Sequence, residues 1–155
     1  MASHRVSRRI AAPAAQVYSA LVDPRAVEQW RAPEGMTCQV HELDPTIGGL
    51  FRVSLTYLDG RERGKSGVVT DTYEGRFAEL VPGRKVVEVV AFETEVPELS
   101  GEFTVTTVLS ERSGETVVTV EFEGLPTGVD PSDNEMGTAM ALAKLAALVE
   151  SESTP

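Results

Sequence analysis

Apolar and polar residues alternate strictly along the middle of the chain, with the period of two that is typical of a half-buried β-strand. The clearest example is residues 50–58, in which one face carries only large apolar or aromatic side chains: Phe51, Val53, Leu55 and Tyr57. The opposite face of the same segment carries arginine, serine and threonine. This pattern predicts a sheet with one face in the core and the other towards solvent.

The same reasoning predicts seven extended segments, which are residues 5–12, 36–43, 50–58, 68–80, 84–93, 102–109 and 115–123. Short connections with turn-forming pairs, such as Pro82-Gly83 and Ser113-Gly114, indicate that successive strands pair in antiparallel fashion. A bulge is expected at Gly75, because an isolated glycine inside a strand often marks one.

Helical spacing of apolar residues occurs in three places: residues 14–22, a second short helix ending near Trp30, and residues 130–150. Asp23-Pro24 and Asp130-Pro131 are helix starts, each with a capping carboxylate followed by proline at the first position. The last helix has an apolar stripe, which consists of Met136, Met140, Leu142, Leu145, Leu148 and Val149. Its many alanines keep it thin enough to lie close to a sheet.

The element order is one strand, two short helices, six strands and one long helix. This order predicts an α+β protein with a curved antiparallel sheet of six to seven strands wrapped around a long C-terminal helix. A helix fills only part of the hollow of such a sheet, so a cavity is expected between them. With 155 residues, the chain is expected to form one ligand-binding domain over residues 1–155, with its core at about 5–150.

Charge and cysteine content narrow the classes of partner. The chain has 14 Lys and Arg against 24 Asp and Glu, a net charge of −10, which repels nucleic acids and anionic membranes. Its single cysteine, Cys38, excludes a disulfide within the chain and suits a reducing compartment. The first residues lack the apolar core of a signal peptide. We therefore expect a cytoplasmic protein with neither nucleic acid nor membrane as partner.

Catalytic and metal-binding motifs are not recognisable in the sequence. His4 and His41 are the only histidines, and neither has another histidine or a cysteine at ligand spacing. Nucleotide-binding and nucleophile motifs are missing, so we expect no metal and no cofactor. Cys38 lacks an adjacent base, and a buried or half-buried packing thiol is the expected role.

Several polar residues leave two interpretations open. Glu88 interrupts a run of valines and either faces solvent, the simpler alternative, or points into the cavity. Asp71, Tyr73 and Arg76 are either surface residues of an outer strand or polar groups that orient a ligand. In the last helix Asp133 suits capping. The two residues after it, Asn134 and Glu135, are candidates for the mouth of a pocket.

Four stretches resemble the START-like (SRPBCC) helix-grip proteins, and among them the homologues of the activator of heat-shock protein 90 ATPase. They are IAAPAAQVYSALVDP at 10–24, followed by Trp30 and Pro33, then LDPTIGGLF at 43–51, GRFAELVPGRKV at 75–86 and LAKLAALVE at 142–150. The resemblance implies the helix-grip fold and binding of lipids, hormones or polyketides, with some members acting as cyclases. It differs at Gly137-Thr138, where the family usually has Gly-Trp. The smaller threonine leaves a larger cavity, unless Met136 and Met140 fill the space.

The best candidates for the walls of a ligand cavity are the aromatic residues and methionines with the one interrupting carboxylate: Trp30, Phe51, Tyr57, Tyr73, Phe77, Glu88, Phe103, Met136 and Met140. They predict binding of an apolar or amphipathic small molecule. The sequence leaves open whether the protein is a monomer or a homodimer. Two alternatives stay open. One is a cyclase- or hydrolase-like enzyme that uses pocket carboxylates, Arg and Tyr. The other is a co-chaperone that activates a chaperone ATPase, although the eukaryotic activators carry a further N-terminal domain for which this chain has no room.

Overall fold

The computed structural model describes residues 3–33, 35–57 and 70–153. Its helices are α1 (Ala14–Val22), α2 (Pro24–Trp30) and α3 (Pro131–Ser153), together with one turn of 3-10 helix at Pro97–Leu99. Its strands are β1 (Ser3–Ile10), β2 (Met36–Leu43), β3 (Leu50–Tyr57), β4 (Thr70–Val81), β5 (Lys85–Phe92), β6 (Phe103–Arg112) and β7 (Glu115–Glu123). The predicted strand ends at Leu58 and at residues 68–69 lie outside the described residues.

All seven strands form one antiparallel sheet in the order β1-β7-β6-β5-β4-β3-β2. Every neighbouring pair except β1–β7 joins strands that follow each other in the chain, as expected for short connections. The sheet curls into a half-barrel, with α3 against its concave side and the two short helices after β1. This is the α+β architecture that the element order predicts and the helix-grip fold that the resemblance implies.

The helices begin where the capping signals place them. Asp23 Oδ1 accepts a hydrogen bond from the Arg25 amide at 3.2 Å, and Pro24 is the first residue of α2. Asp130 Oδ1 accepts from the Ser132 amide at 2.8 Å at the start of α3. Among the described residues, no helix is both long and apolar enough to cross a membrane.

Two register shifts bend the sheet, and neither lies at Gly75. One falls between Phe77 and Glu79 in β4, and the other falls between Val40 and Glu42 in β2. The bulge predicted at Gly75 is therefore wrong, since this residue pairs regularly with Phe51 and with β5. A Cβ at Gly75 would collide with the Phe51 ring and a β5 carbonyl. The glycine lets an aromatic side chain lie against the backbone of its neighbour.

The two halves of α3 differ in burial. Leu142, Leu145 and Val149 in the second half are 2%, 0% and 0% exposed and belong to the main core. In the first half Met136 is 59% exposed and Met140 is half-buried. Met136 therefore does not fill space under the helix, so that part of the gap-filling alternative is wrong.

Candidate functional site

Three polar side chains from distant parts of the chain meet among the apolar residues of the concave face. Arg31 follows α2, Tyr73 lies in β4 and Glu88 lies in β5. Arg31 Nη1 donates to the Tyr73 hydroxyl at 3.1 Å, and Arg31 Nη2 lies 3.7 Å from Glu88 Oε2. We call Arg31, Tyr73 and Glu88 the Arg31 cluster. It is a charged, hydrogen-bonded group in a region that otherwise consists mainly of aromatic and aliphatic side chains.

Strand alternation places Glu88 inside the protein. Val86 and Val90, two residues away on either side, are 3% and 5% exposed, and Glu88 itself is 6% exposed. The solvent-facing alternative for Glu88 is therefore wrong. The sequence did not distinguish the two faces, because Val87 and Val89 put apolar residues on the outer face as well.

Arg31 is held in place by the end of α2. Its amide donates to the Val27 carbonyl at 2.9 Å, which closes the helix. The preceding residue, Trp30, is buried and donates from Nε1 to the Ala20 carbonyl at 2.8 Å. Arg31 Cζ lies 4.8 Å from the Trp30 ring centroid, a cation–π contact. Lys144 Nζ donates to the Ala32 carbonyl at 2.8 Å and so joins α3 to this segment.

One donor of the cluster is unused. Arg31 Nε is buried and has no hydrogen-bond partner among the described residues. Buried polar groups in folded proteins nearly always have partners, and an unpaired one costs about 1–3 kcal/mol. A few convergent polar groups within a mostly apolar surface are typical of small-molecule binding sites.

Burial controls the ionisation of the cluster. It raises the pKa of Glu88, and the nearby Arg31 guanidinium lowers this pKa only in part. It also raises the pKa of Tyr73 to about 12, against the opposing effect of Arg31. Burial lowers the pKa of Arg31, but Tyr73 and Glu88 raise it by more, so the guanidinium stays charged.

Cys38 lies beside the cluster in β2 and is half-buried. Burial raises the pKa of its thiol to about 11, although the positive charges of Arg31 and Lys144 lower it. The thiol is therefore protonated at neutral pH and is not a nucleophile. This agrees with the packing role expected from the sequence.

The Glu88 carboxyl gives the stability of the protein a characteristic pH dependence. Because its pKa is higher in the folded state, the folded protein binds this proton more tightly than the unfolded chain. Stability from this group therefore falls as pH rises above about 4.3, the ordinary glutamate value. We expect the unfolding free energy of Glu88→Gln, relative to wild type, to rise with pH in urea titrations.

Glu93 supplies a matched control on the outer face of the sheet. Its carboxylate accepts from Arg52 Nε at 2.6 Å and from Arg52 Nη2 at 2.9 Å. The hydrogen bond from Arg52 lowers the pKa of Glu93. The contribution of Glu93 to the unfolding free energy is therefore lost as pH falls. At acidic pH the stability of Glu93→Gln should approach that of wild type. Parallel pH profiles for both variants and wild type would contradict these two assignments.

The structure brings most of the predicted cavity residues to one face. Five of the aromatic candidates are buried, with exposed fractions between 1% and 8%: Trp30, Phe51, Tyr73, Phe77 and Phe103. Phe51 contacts both Phe77 and Tyr73, at centroid distances of 5.1 and 6.3 Å. Tyr57 is half-buried. Whether these residues contact a ligand stays a prediction.

The remaining polar candidates lie away from the Arg31 cluster. Asp71 and Arg76 are exposed, and Arg76 Nη1 donates to Glu102 Oε2 at 3.1 Å. Asn134 Nδ2 lies 3.0 Å from His4 Nε2, whereas Asp133 and Glu135 are exposed. Arg31 was not among the candidates. An arginine at the end of a short helix carries no sequence signal for burial, and only the packing of α2 against the sheet shows it.

Two surface concavities are separate from the cluster. A groove of about 570 Å³ lies between the β4–β5 turn and β6, with Arg84, Lys85 and Glu111 at its walls. A smaller one of about 240 Å³ lies on the outer sheet face near Arg52 and Glu74. The Glu111 carboxylate already has a structural partner, since its Oε1 accepts a hydrogen bond from the Ala14 amide at 2.8 Å. We place the candidate site at the Arg31 cluster because it sets a buried carboxyl against a guanidinium whose side chain is 24% exposed. Within the described ranges, no group of three His, Cys, Asp or Glu is arranged to hold a metal ion.

Comparisons with known proteins identify relatives of the whole chain. The family model "Activator of Hsp90 ATPase homolog 1-like protein" matches residues 11–150. A solved protein from Chromobacterium violaceum is 31% identical, over 96% of each chain, with a TM-score of 0.85. An AHSA1 protein from Silicibacter pomeroyi is 22% identical, over 97% of this chain and 99% of that one, with a TM-score of 0.76.

A third structure, DynU16 of the dynemicin biosynthetic locus, is 22% identical with a TM-score of 0.67; the match covers 96% of this chain and 47% of that one. No curated protein matches the chain. The family model spans the chain from α1 to near the end of α3, and the Chromobacterium protein matches 96% of it. The chain therefore belongs to the family of activator of Hsp90 ATPase homolog 1-like proteins.

Proposed function

We propose that the protein binds an apolar or amphipathic small molecule between the concave face of the sheet and α3. The buried aromatic residues supply the apolar wall, and the Arg31 cluster recognises the polar end of the molecule. The observation that carries this proposal is the buried Arg31 Nε without a partner, set beside Trp30, Tyr73 and Glu88. Specific ligand sites combine these two features, a mostly apolar surface and a few convergent polar groups.

Fold stability does not account for the cluster. Replacing a buried ion pair with well-packed apolar residues is often neutral or stabilising, by about 1–4 kcal/mol. The 3.7 Å separation between Arg31 and Glu88 is long for a charge-assisted hydrogen bond, so the pair recovers its desolvation cost poorly. A group that costs stability in an otherwise apolar core is best explained by recognition. A DynU16 relative in a biosynthetic locus accords with a small-molecule ligand.

Native mass spectrometry of the protein purified from its own host tests the proposal. We expect a non-covalent adduct of small-molecule mass on wild type that is lost or reduced in Arg31→Met. The same spectra report whether the protein is a monomer or a homodimer. Wild type without an adduct, together with no binding of an apolar dye such as Nile red, would contradict the proposal.

The threonine at position 138 tests where the ligand lies. Thr138 is half-buried, and its hydroxyl donates to the Asn134 carbonyl at 2.7 Å. Among the described residues, a Cβ at the adjacent Gly137 would meet Pro33 alone, at 3.5 Å, so this part of α3 has room beside it there. We expect Thr138→Trp to raise the melting temperature and weaken Nile red binding. A lower melting temperature with unchanged dye binding would show that the space is already filled and the indole overpacks it, at about 1–3 kcal/mol.

A catalytic role is the second candidate, and Glu88 is the observation that favours it. A buried carboxyl with a raised pKa beside a phenol is the arrangement of a general acid or base. The masses of the molecules retained by wild type and by Glu88→Gln distinguish the two functions. A binding protein should retain the same molecule in both forms. An enzyme should retain product in wild type and unreacted substrate in the variant.

A further inference from the structure

The hydrogen-bonding state of the Arg31 cluster indicates what kind of polar group it receives. The Tyr73 hydroxyl already accepts from Arg31 Nη1, and Glu88 lies nearest to Arg31 Nη2. The Nε–H of Arg31 is the donor that has no acceptor among the described residues. A guanidinium has five N–H donors, and Nε is its buried nitrogen without a partner, so an acceptor atom placed there would satisfy it.

The charges of the cluster cancel when Glu88 is ionised. Arg31 is positive, Glu88 is negative and the buried Tyr73 phenol is neutral. Beside them, Lys144 and Glu28 act on Cys38 with opposite signs. A carboxylate ligand would compete with Glu88 for one guanidinium and leave a buried negative charge without compensation. An ammonium ligand would be repelled by the positive charge of Arg31. An uncharged acceptor causes neither an uncompensated charge nor this repulsion.

We propose that the polar end of the ligand is an uncharged carbonyl, of the ketone or amide type, that accepts the hydrogen bond of Arg31 Nε. The inference rests on the proposed function and narrows it from amphipathic molecules in general to neutral ones. In this arrangement Glu88 acts as the built-in counter-ion of Arg31 and excludes anions. Tyr73 accepts from Nη1 and so holds the guanidinium in an orientation in which the buried, unpartnered Nε can donate to the ligand.

Three probes with the same ten-carbon chain test the inference: 2-decanone, decanoate and decylammonium. Binding is measured by isothermal titration calorimetry at pH 7.5. It is measured independently by the fluorescence of Trp30, the only tryptophan, whose ring contacts Arg31. We expect wild type to bind 2-decanone at least about tenfold more tightly than either ion, since an unpaired buried charge costs more than 1.4 kcal/mol.

Variants of Glu88 and Arg31 should change the ligand affinities in opposite ways. Glu88→Gln removes the counter-ion, so decanoate should gain at least about tenfold in affinity while 2-decanone changes little. Arg31→Lys keeps the charge but removes the Nε donor, so 2-decanone should lose about tenfold. Glu93→Gln, in the exposed pair with Arg52, is the matched control and should leave all three affinities unchanged.

The outcomes separate the inference from the proposed function. If wild type binds decanoate as tightly as 2-decanone or more tightly, with proton uptake from the buffer, the carbonyl assignment is overturned and small-molecule binding stands. An unaltered 2-decanone affinity in Arg31→Lys would also overturn the assignment, because Nε would then make no bond to the ligand. If none of the probes binds and no adduct is seen in native spectra, both proposals fail.

Discussion

Replacing Arg31 with methionine should destabilise the protein by about 3 kcal/mol, the low end of the cost of leaving one member of a buried ion pair uncompensated, since the Arg31 side chain is 24% exposed. Glu88 is 6% exposed, and without Arg31 its carboxylate has no counter-charge within the cluster. The Tyr73 hydroxyl also loses the donor that it pairs with. Urea unfolding of wild type and Arg31→Met at pH 7.5 measures the difference.

The double variant Arg31→Met/Glu88→Met separates the charge effect from the loss of packing. With both charges removed, most of the lost stability should return, since two apolar side chains replace the pair. Arg52→Met on the outer face is the control, because its pair with Glu93 is solvent-exposed and should contribute much less to stability than the Arg31–Glu88 pair. A double variant as unstable as the single one would show that Arg31 acts through packing and not through its charge.

The fold could be predicted from the sequence because its elements depend on local periodicity. The alternation in residues 50–58 and the helix signals at Asp23-Pro24 and Asp130-Pro131 are each contained in a few consecutive residues. The structure places β3, α2 and α3 there. The element order and the resemblance then predicted the antiparallel half-barrel around α3, since short connections leave few other topologies.

The site could be predicted only in part because it depends on contacts between distant residues. Arg31 and Tyr73 are 42 positions apart, and their contact is set by the packing of α2 against the sheet. The spacing of apolar residues along the sequence describes local structure and does not predict a contact between such distant residues. The direction of Glu88 was ambiguous for a different reason, since valines occupy both faces of β5. Of the residues in the predicted apolar stripe of α3, Leu142, Leu145 and Val149 are buried in the structure. Met136 was predicted with them but lies in the exposed first half of the helix.

The second large effect is expected at Leu145, in the middle of the buried half of α3. This side chain is 0% exposed and lies in the main core with Leu142 and Val149, at 2% and 0%. Leu145→Ala should destabilise the protein by about 2–5 kcal/mol, because it removes buried methyl groups and leaves a cavity that the sheet cannot close. The loss should appear as a lower midpoint in urea and a lower melting temperature.

Leu50→Ala provides the matched control for this substitution. Leu50 lies in β3 with its side chain 56% exposed, so the same change there should alter stability by no more than about 0.5 kcal/mol. The comparison holds the chemistry of the substitution constant and varies only burial. If Leu145→Ala left the midpoint where Leu50→Ala leaves it, α3 would not present this face to the sheet. The ligand site proposed between the sheet and α3 would then have to be sought on another side of the helix.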